Sequence, residues 1–223
     1  MSASRPVTIL YADDDLIVAV KDAGISDKGS ELGAMIADAA GREVSNVYRL
    51  DREIAGIMIY ATYEKSLSVL KDSFASKTAF CEYSAVVNGH IDESGTLRDL
   101  IYHDTKRSKS YIVHCMRRGV RDAQLTYEPV VCVEERTLLR IICESGRAHQ
   151  IRLQLAAHGM SIVGDRKYGV VSLHSSQSPL ALACTRVLFP HPATGEMIDA
   201  GYTPSGAEWA VFHEYFRAGG GQA

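Results

Sequence analysis

The stretch between residues 80 and 143 restricts the fold of this chain more than any other feature, because strand signals dominate it. Its β-branched and aromatic residues concentrate in four segments, several of which alternate polar and apolar side chains: residues 80–87, 110–115, 124–133 and 137–143. So many strand candidates in succession, with few helices between them, favour an antiparallel sheet.

The remaining elements do not follow a regular βαβα order. Apolar runs predict strands at residues 7–11, 16–21, 57–61 and near 180–189, and helical spacing predicts helices at residues 31–40, 63–75, 148–158 and 206–216. Ser205 and Glu208 have the spacing of a capping box for the last helix. We therefore predict an α+β fold, a mixed, largely antiparallel β-sheet with helices packed on it.

The 223 residues leave room for one well-buried core, and no linker rich in Pro, Gly or Ser divides them. We predict a single domain over residues 1–217 and a flexible tail over residues 218–223. Glycine-rich phosphate-binding motifs do not occur, which excludes a P-loop and disfavours a doubly wound nucleotide fold.

Charge is balanced over the whole chain but not along it. The 24 basic and 27 acidic residues give a net charge of −3, which argues against binding nucleic acid by bulk charge. Residues 106–121 nevertheless hold no acid and six bases: Lys106, Arg107, Lys109, Arg117, Arg118 and Arg121. This basic strip could follow a phosphate backbone or could be a solvated surface, and its sequence favours neither.

The cysteines indicate a reducing compartment. There are five, with no C-x-x-C pair, and most lie in apolar runs. No apolar signal segment opens the chain and no run approaches 18 apolar residues, so we predict a cytoplasmic protein without a membrane span. The eight histidines lack metal-ligand spacing, and no G-x-S-x-G nucleophile motif occurs.

Residues 148–158 aim one arginine toward the core. Ala148, Ile151, Arg152 and Leu155 share one face of the predicted helix, and a half-buried Arg needs a carboxylate. Asp51, just ahead of the buried strand at 57–61, is a reasonable partner, and the pair would hold Asp51 ionised. A structural ion pair that ties helix to sheet explains the same pattern.

Three motifs together resemble the RluA family of RNA pseudouridine synthases. They are Arg49-Leu50-Asp51-Arg52 with Gly56 and an apolar strand; Arg147-x-His149-Gln150-Ile151-Arg152 with Gly159, Ile162-Val163-Gly164-Asp165 and Tyr168-Gly169; and Phe189-x-His191-Pro192-x-Thr194-Gly195-Glu196. The resemblance runs from about residue 7 to residue 200, in the family's order.

The resemblance implies isomerisation of uridine in structured rRNA or tRNA to pseudouridine, with base flipping and without cofactor or metal. It makes Asp51 the catalytic carboxylate, Tyr83 the base-stacking tyrosine and a candidate for removing a proton, and Arg152 the partner of Asp51. Arg49 would enter the RNA where the base has left, and Leu153 would line the base pocket. The family also implies a monomer.

Several positions depart from the family pattern, but none of them removes Asp51, Tyr83 or Arg152. The departing positions are Asp22, Tyr48, Ile54, Ala55, Glu82 and Gln154. Because Val7 already begins the catalytic part, we expect no N-terminal RNA-binding domain of the S4 type.

Two other functions compete with the synthase. One is an inactive RNA-binding or chaperone protein on the same fold, against which the retained Asp51, Tyr83 and Arg152 argue. The other is a nucleoside hydrolase that uses Asp51 and Glu53 as a carboxylate pair, which leaves Arg152 and its motif without a task.

Overall fold

The computed structural model describes residues 7–26, 31–169 and 178–219. Over these ranges the chain forms eleven strands, four α-helices and one 3₁₀ turn, in two compact units. The first unit comprises residues up to Cys81 together with Cys184–Tyr202, and the second comprises Glu82–Ala183 together with the residues from Thr203 onward.

The first unit is a sheet with two helices. Its strands are β1 (Thr8–Ala12), β2 (Leu16–Lys21), β3 (Ser45–Asn46), β4 (Ala55–Ala61), most of β10 (Leu182–Pro190) and β11 (Met197–Gly201). They lie in the order β1–β2–β4–β10, with β3 on β4 and β11 on β10. Strand β4 is buried almost throughout, and the helices are α1 (Glu31–Ala40) and α2 (Glu64–Ala75).

The second unit is an antiparallel sheet in the order β5–β9–β8–β6–β7. Its strands are β5 (Phe80–Asn88), β6 (Gly95–Asp104), β7 (Lys109–Val113), β8 (Val120–Val133) and β9 (Arg136–Cys143). Helix α3 (Gln150–Ala157) packs through Leu153 against Ile101 of β6 and Ala123 of β8. A 3₁₀ turn (Ala210–Phe212) and α4 (His213–Gly219) close this unit.

The predicted α+β class and largely antiparallel pairing are confirmed, and so are most of the predicted elements. Strand β6 was not predicted, although it is ten residues long. The predicted helix 206–216 is wrong in its start, because residues 206–212 form turns and a 3₁₀ turn before α4 begins at His213. The capping box at Ser205 and Glu208 is therefore not at the start of an α-helix.

Two predictions about the limits of the chain stay open. Of the predicted tail, residues 220–223 lie outside the described residues, whereas 218 and 219 end α4. The single domain over residues 1–217 stays a prediction.

None of the helices in the described ranges is long and apolar enough to cross a membrane.

Candidate active site

Asp51 lies in the loop between β3 and β4 of the first unit. Leu50 and Ile54 are buried on either side of it, while Asp51 is half-buried. The amide of Ile54 donates to the Asp51 carbonyl oxygen at 3.0 Å, which closes a turn directly after the carboxylate. The buried neighbours therefore anchor the loop on both sides of the half-buried Asp51.

A buried lysine is hydrogen-bonded to the backbone of the same loop. Lys21, at the end of β2, is fully buried, and its Nζ donates to the carbonyl oxygens of Asp22, Ile25 and Arg52 at 3.3, 3.1 and 3.3 Å. Arg52 and Gly24 add two hydrogen bonds of 2.7 Å between their chain segments. Lys21 was not among the predicted site residues, and a lysine that ends a wholly apolar strand is the signal that could have found it.

Tyr48 and Gly56 fix the two ends of the loop. The Tyr48 hydroxyl donates to the Ile57 carbonyl oxygen at 2.7 Å, and its ring meets Phe74 of α2 edge-on at 5.3 Å. Gly56 adopts a φ of +127°, and a Cβ there would lie 2.2 Å from the Cys184 carbonyl oxygen on β10. Tyr48, one of the departures from the family pattern, thus has a packing role in this chain.

Arg49, the predicted intruding arginine, is exposed in the same loop. It and Asp51 belong to the first unit, whereas the other three predicted catalytic and base-binding residues, Tyr83, Arg152 and Leu153, belong to the second. The joint action of Asp51 with Arg152 and Tyr83 stays a prediction.

Tyr83 lies on β5, opposite Ile141 of β9, and is half-buried. The neighbouring Glu82, another departure from the family pattern, has a carboxylate oxygen 3.7 Å from Nε of Arg140, which also pairs with Glu128. The charge of Glu82 is therefore matched within the sheet of the second unit.

Arg152 is buried, as its position on the helix predicted, with 2% of its side chain exposed. Its Nε donates to Oδ2 of Asp165 at 2.8 Å and its Nη2 donates to Oδ1 at 2.7 Å. Asp165 belongs to the second family motif, and the sequence predicted no role for it. Burial raises the pKa of the Asp165 carboxyl, but the bonds and charge of Arg152, with the amides of Lys167 and Tyr168, more than offset this and hold the pKa below its usual value.

Leu153 and Gln154 pack on the sheet of the second unit. Leu153 lies in an apolar cluster with Ile101 and Ala123, and its role in a base pocket stays a prediction. Gln154, a departure from the family pattern, accepts from Gln150 at 2.9 Å and donates to Asp99 at 2.7 Å. Its amide group therefore both accepts and donates within a buried polar network.

The basic strip is exposed at its most basic end. Arg117, Arg118 and Arg121 are all exposed, and the guanidinium of Arg117 lies 5.4 Å from the centre of the Tyr102 ring. A cation over a ring face, beside two further exposed arginines, is compatible with contacts to phosphates and bases.

Asp13, Asp15 and His191 of the first unit have side-chain ligand atoms within 4.8 Å of one another. His191 Nδ1 accepts from the amides of Ala193 and Thr194, so its Nε2 carries the proton and donates to Asp13 Oδ2 at 2.7 Å. With that proton in place Nε2 has no lone pair to offer a cation. The cluster is therefore a hydrogen-bonded tie between the β1–β2 turn and the β10–β11 turn.

The family model for RNA pseudouridylate synthases matches residues 15–157, which contain Asp51, Tyr83 and Arg152. The chain belongs to this family. The ribosomal large subunit pseudouridine synthase D of Salmonella typhimurium is 34% identical over 74% of the chain and 53% of its own length. An uncharacterised RNA pseudouridine synthase of Mycobacterium bovis is 29% identical over 86% of the chain and 68% of its own length.

The RluA-family resemblance is thereby confirmed, and with it the assignment to enzymes that isomerise uridine in RNA. This pseudouridine synthase chain spans between about half and two thirds of the length of those two relatives. Human RNA pseudouridylate synthase domain containing 1 shares the fold, with a TM-score of 0.75 over 98% of both chains at 17% identity. Human RNA pseudouridylate synthase domain containing 4 gives a TM-score of 0.72 at 19% identity over 89% of this chain and 88% of its own.

Proposed function

We propose that this chain converts a specific uridine of structured RNA, in rRNA or tRNA, to pseudouridine, with Asp51 as the catalytic carboxylate. The bond between C1′ and N1 breaks and a bond between C1′ and C5 forms, while C5 loses a proton and N1 gains one. No atom or electron is gained or lost overall, so the step needs no oxidant or co-reactant, and we propose, as the family resemblance implies, that it uses no cofactor or metal.

The anchoring of the Asp51 loop is the observation that carries the proposal. Lys21, Tyr48 and Gly56 secure the backbone on both sides of a half-buried carboxylate. Such preorganisation suits a group that either attacks C1′ or removes a proton from the sugar. Both routes need an ionised carboxylate, and we assign Arg152 the task of keeping it so.

The remaining predicted residues handle the flipped uridine. A base in structured RNA must leave its stack before its C1′ can be reached. Tyr83 stacks on the base and is a candidate for removing its proton, Leu153 lines the base pocket, and Arg49 fills the gap left in the RNA. The exposure of Arg49 and the half-burial of Tyr83 support these roles.

Arg117, Arg118 and Arg121 bind the RNA backbone in this proposal. Their exposure and the absence of acids from residues 106–121 support the contact. The name of the Salmonella relative points to large-subunit rRNA as the first substrate to test. We place the enzyme in the cytoplasm, in keeping with its five free cysteines, and propose a monomer, as the family resemblance implies.

The test replaces Asp51 with Asn, which keeps the size of the side chain and removes its charge. Carbodiimide labelling maps pseudouridine in total RNA from cells with and without the gene, and the same labelling measures its formation in purified reactions. With the Asp51→Asn variant, pseudouridine formation should fall to background. RNA binding should survive, and so should most of the thermal stability, because Arg152 retains Asp165 as a partner. Substantial residual isomerisation by pure Asp51→Asn protein would refute the role of Asp51.

Glu53→Gln is the matched control, because Glu53 is an exposed acid two residues away in the same loop. We expect it to keep full isomerisation. A hydrolase that needs both carboxylates would instead lose activity in both variants and release free uracil. An inactive RNA-binding protein would leave the pseudouridine map of the cells unchanged when the gene is removed.

A further inference from the structure

Arg152 and Asp165 form a buried, bidentate ion pair in the second unit. Their side chains are 2% and 1% exposed, and two parallel hydrogen bonds of 2.8 and 2.7 Å join them. A bidentate pair fixes both the plane of a guanidinium and its rotation within that plane. Asp165 therefore determines the direction in which the other N–H groups of Arg152 are presented.

The turn that carries Asp165 is itself held rigidly. Oδ1 of Asp165 accepts the amides of Lys167 and Tyr168 at 2.8 and 3.1 Å, and its carbonyl oxygen accepts from Gly169 at 3.1 Å. Gly164 has a φ of +78°, and a Cβ there would lie in contact with the carbonyl oxygen of Pro179. Neither the turn nor its carboxylate can shift without breaking several of these contacts.

Tyr168 covers the guanidinium from one side. The centre of its ring lies 5.6 Å from Cζ of Arg152. Its hydroxyl accepts from the Ser110 amide of β7 at 2.7 Å and lies 2.7 Å from Nδ1 of His149. These two hydrogen bonds fasten the ring to both β7 and the residue that precedes α3.

We propose that Asp165 and Tyr168 are positioning residues of the isomerisation, which fix the guanidinium of Arg152 in the one orientation that serves the catalytic carboxylate. The inference rests on the proposed function, in which Arg152 orients Asp51. A single hydrogen bond to the Asp165 carboxylate would already balance the charge of Arg152, whereas two parallel hydrogen bonds and the Tyr168 ring also fix the plane of its guanidinium. Misplacing a catalytic group by about 1 Å can cost about a hundredfold in rate.

A role confined to stability predicts something different. Breaking a buried pair always destabilises the protein, so a lower melting temperature alone cannot separate the two roles. A positioning residue slows the chemical step on bound RNA and leaves RNA affinity nearly unchanged. A purely structural residue, once the variant is folded, leaves the rate on bound RNA unchanged.

The experiment compares single-turnover pseudouridine formation at saturating RNA with the RNA dissociation constant, for the whole chain and its Asp165→Asn variant. The Asn oxygen can still accept the amides of Lys167 and Tyr168, but its NH₂ group opposes an N–H of Arg152. We expect the rate to fall at least about tenfold while the dissociation constant changes less than about threefold. A rate within about twofold of the wild type would overturn the proposal.

Leu155→Ala is the matched control, because Leu155 is fully buried on the same helix and bears no polar group. It should lower the melting temperature comparably and keep the single-turnover rate of its folded fraction. An equal loss of rate in Leu155→Ala would show that any loosening of α3 slows the enzyme, and would overturn the assignment to Asp165.

Tyr168→Phe keeps the test decisive if Asp165→Asn does not fold, because it retains the buried pair and the ring. We expect a loss of rate of about threefold or more with unchanged RNA affinity, and an unchanged rate would refute the role of the hydroxyl. If the wild-type chain forms no pseudouridine, the proposed function itself is refuted. That outcome differs from an unchanged rate in Asp165→Asn or Tyr168→Phe, which would refute only the positioning role.

Discussion

Gly56, in β4 just after the Asp51 loop, leaves no space for a side chain. Its φ of +127° strains any other residue, and a Cβ would meet three backbone atoms of Cys184 at 2.2 to 2.8 Å. Backbone on β4 or β10 would have to move. We expect Gly56→Ala to lower the free energy of unfolding by about 3 kcal/mol or more, measured by urea denaturation.

Gly41 provides the comparison for Gly56. It also has a positive φ, of +65°, but no atom lies within 4 Å of where its Cβ would be. Gly41→Ala should cost only about 1 kcal/mol, the penalty of the backbone conformation alone. Equal losses at the two positions would contradict the steric argument for Gly56.

Arg49 is predicted to act only where a base has to be extracted from a stack. Arg49→Ala should therefore slow turnover on folded RNA about tenfold more than on a short, unstructured RNA that contains the same uridine. Single-turnover rates on the two substrates measure this difference. Equal losses would indicate that Arg49 supports the loop rather than the flipped state.

At the scale of elements, Asp13 ties the β1–β2 turn to the β10–β11 turn. Burial raises its pKa, but hydrogen bonds from Tyr11, the amides of Leu16 and Asp15, and His191 outweigh this and lower the pKa to about 2. Because the folded pKa lies below the unfolded value of 3.8, ionised Asp13 stabilises the fold above that value, and the contribution is lost as the pH falls through about 2.

The Asp13→Asn variant tests this tie. Allowing for solvent screening of a partly exposed group, we expect it to lower the free energy of unfolding by about 1 kcal/mol near neutral pH. The difference from the wild type should shrink toward zero as the pH approaches about 2. Asp14→Asn, at a neighbouring side chain that is 91% exposed, should change little at any pH. A difference for Asp13→Asn that did not depend on pH would refute the linkage.

The sequence predicted elements well where one physical signal dominated. Strand β2 is a pure apolar run, and its observed bounds match the predicted residues 16–21. Strand β6 was missed because its sequence does not alternate: the polar Asp99 lies between the buried Leu97 and Ile101 on one face of the strand. The C-terminal helix was placed too early because the capping-box spacing of Ser205 and Glu208 falls on the turn that leads into the 3₁₀ turn, whose i to i+3 spacing is close to that of an α-helix.

The sequence predicted several residues of the candidate site, but it did not predict their hydrogen-bond partners. Helical spacing was enough to place Arg152 in the interior, because burial follows from which face of a helix packs. Its pairing with Asp165 depends on the turn at residues 162–165, which follows α3. Sequence periodicity does not predict the geometry of such a turn. Lys21 was not predicted because the carbonyl oxygens that accept from it belong to the backbone, so only its position at the end of an apolar strand indicates its role.

For the whole molecule, the proposed RNA contact has to overcome a net charge of −3. We expect replacing Arg117, Arg118 and Arg121 with Gln to weaken RNA binding similarly for different sequences. The slope of log K against log salt should become shallower by about 2 to 3. Filter-binding or fluorescence titrations over a range of salt concentrations measure this slope.

A second triple variant separates local contact from overall charge. Lys65, Lys71 and Arg136 are exposed outside the basic strip, and replacing all three with Gln changes the net charge by the same amount. The slope should then stay close to that of the wild type. Equal changes in both triple variants would assign the salt dependence to net charge instead of the strip.

The first unit is assembled from two pieces of chain that are separated by the whole of residues 82–183. Gly56 packs on Cys184, and Asp13 is hydrogen-bonded to His191. The N-terminal segment of the unit therefore lacks these two contacts until its C-terminal segment has left the ribosome. Closing so long a loop is entropically costly and slow. The start of β4 beside the carboxylate loop is therefore synthesised early, but it gains its partner strand β10 only after residues 82–183 have been made.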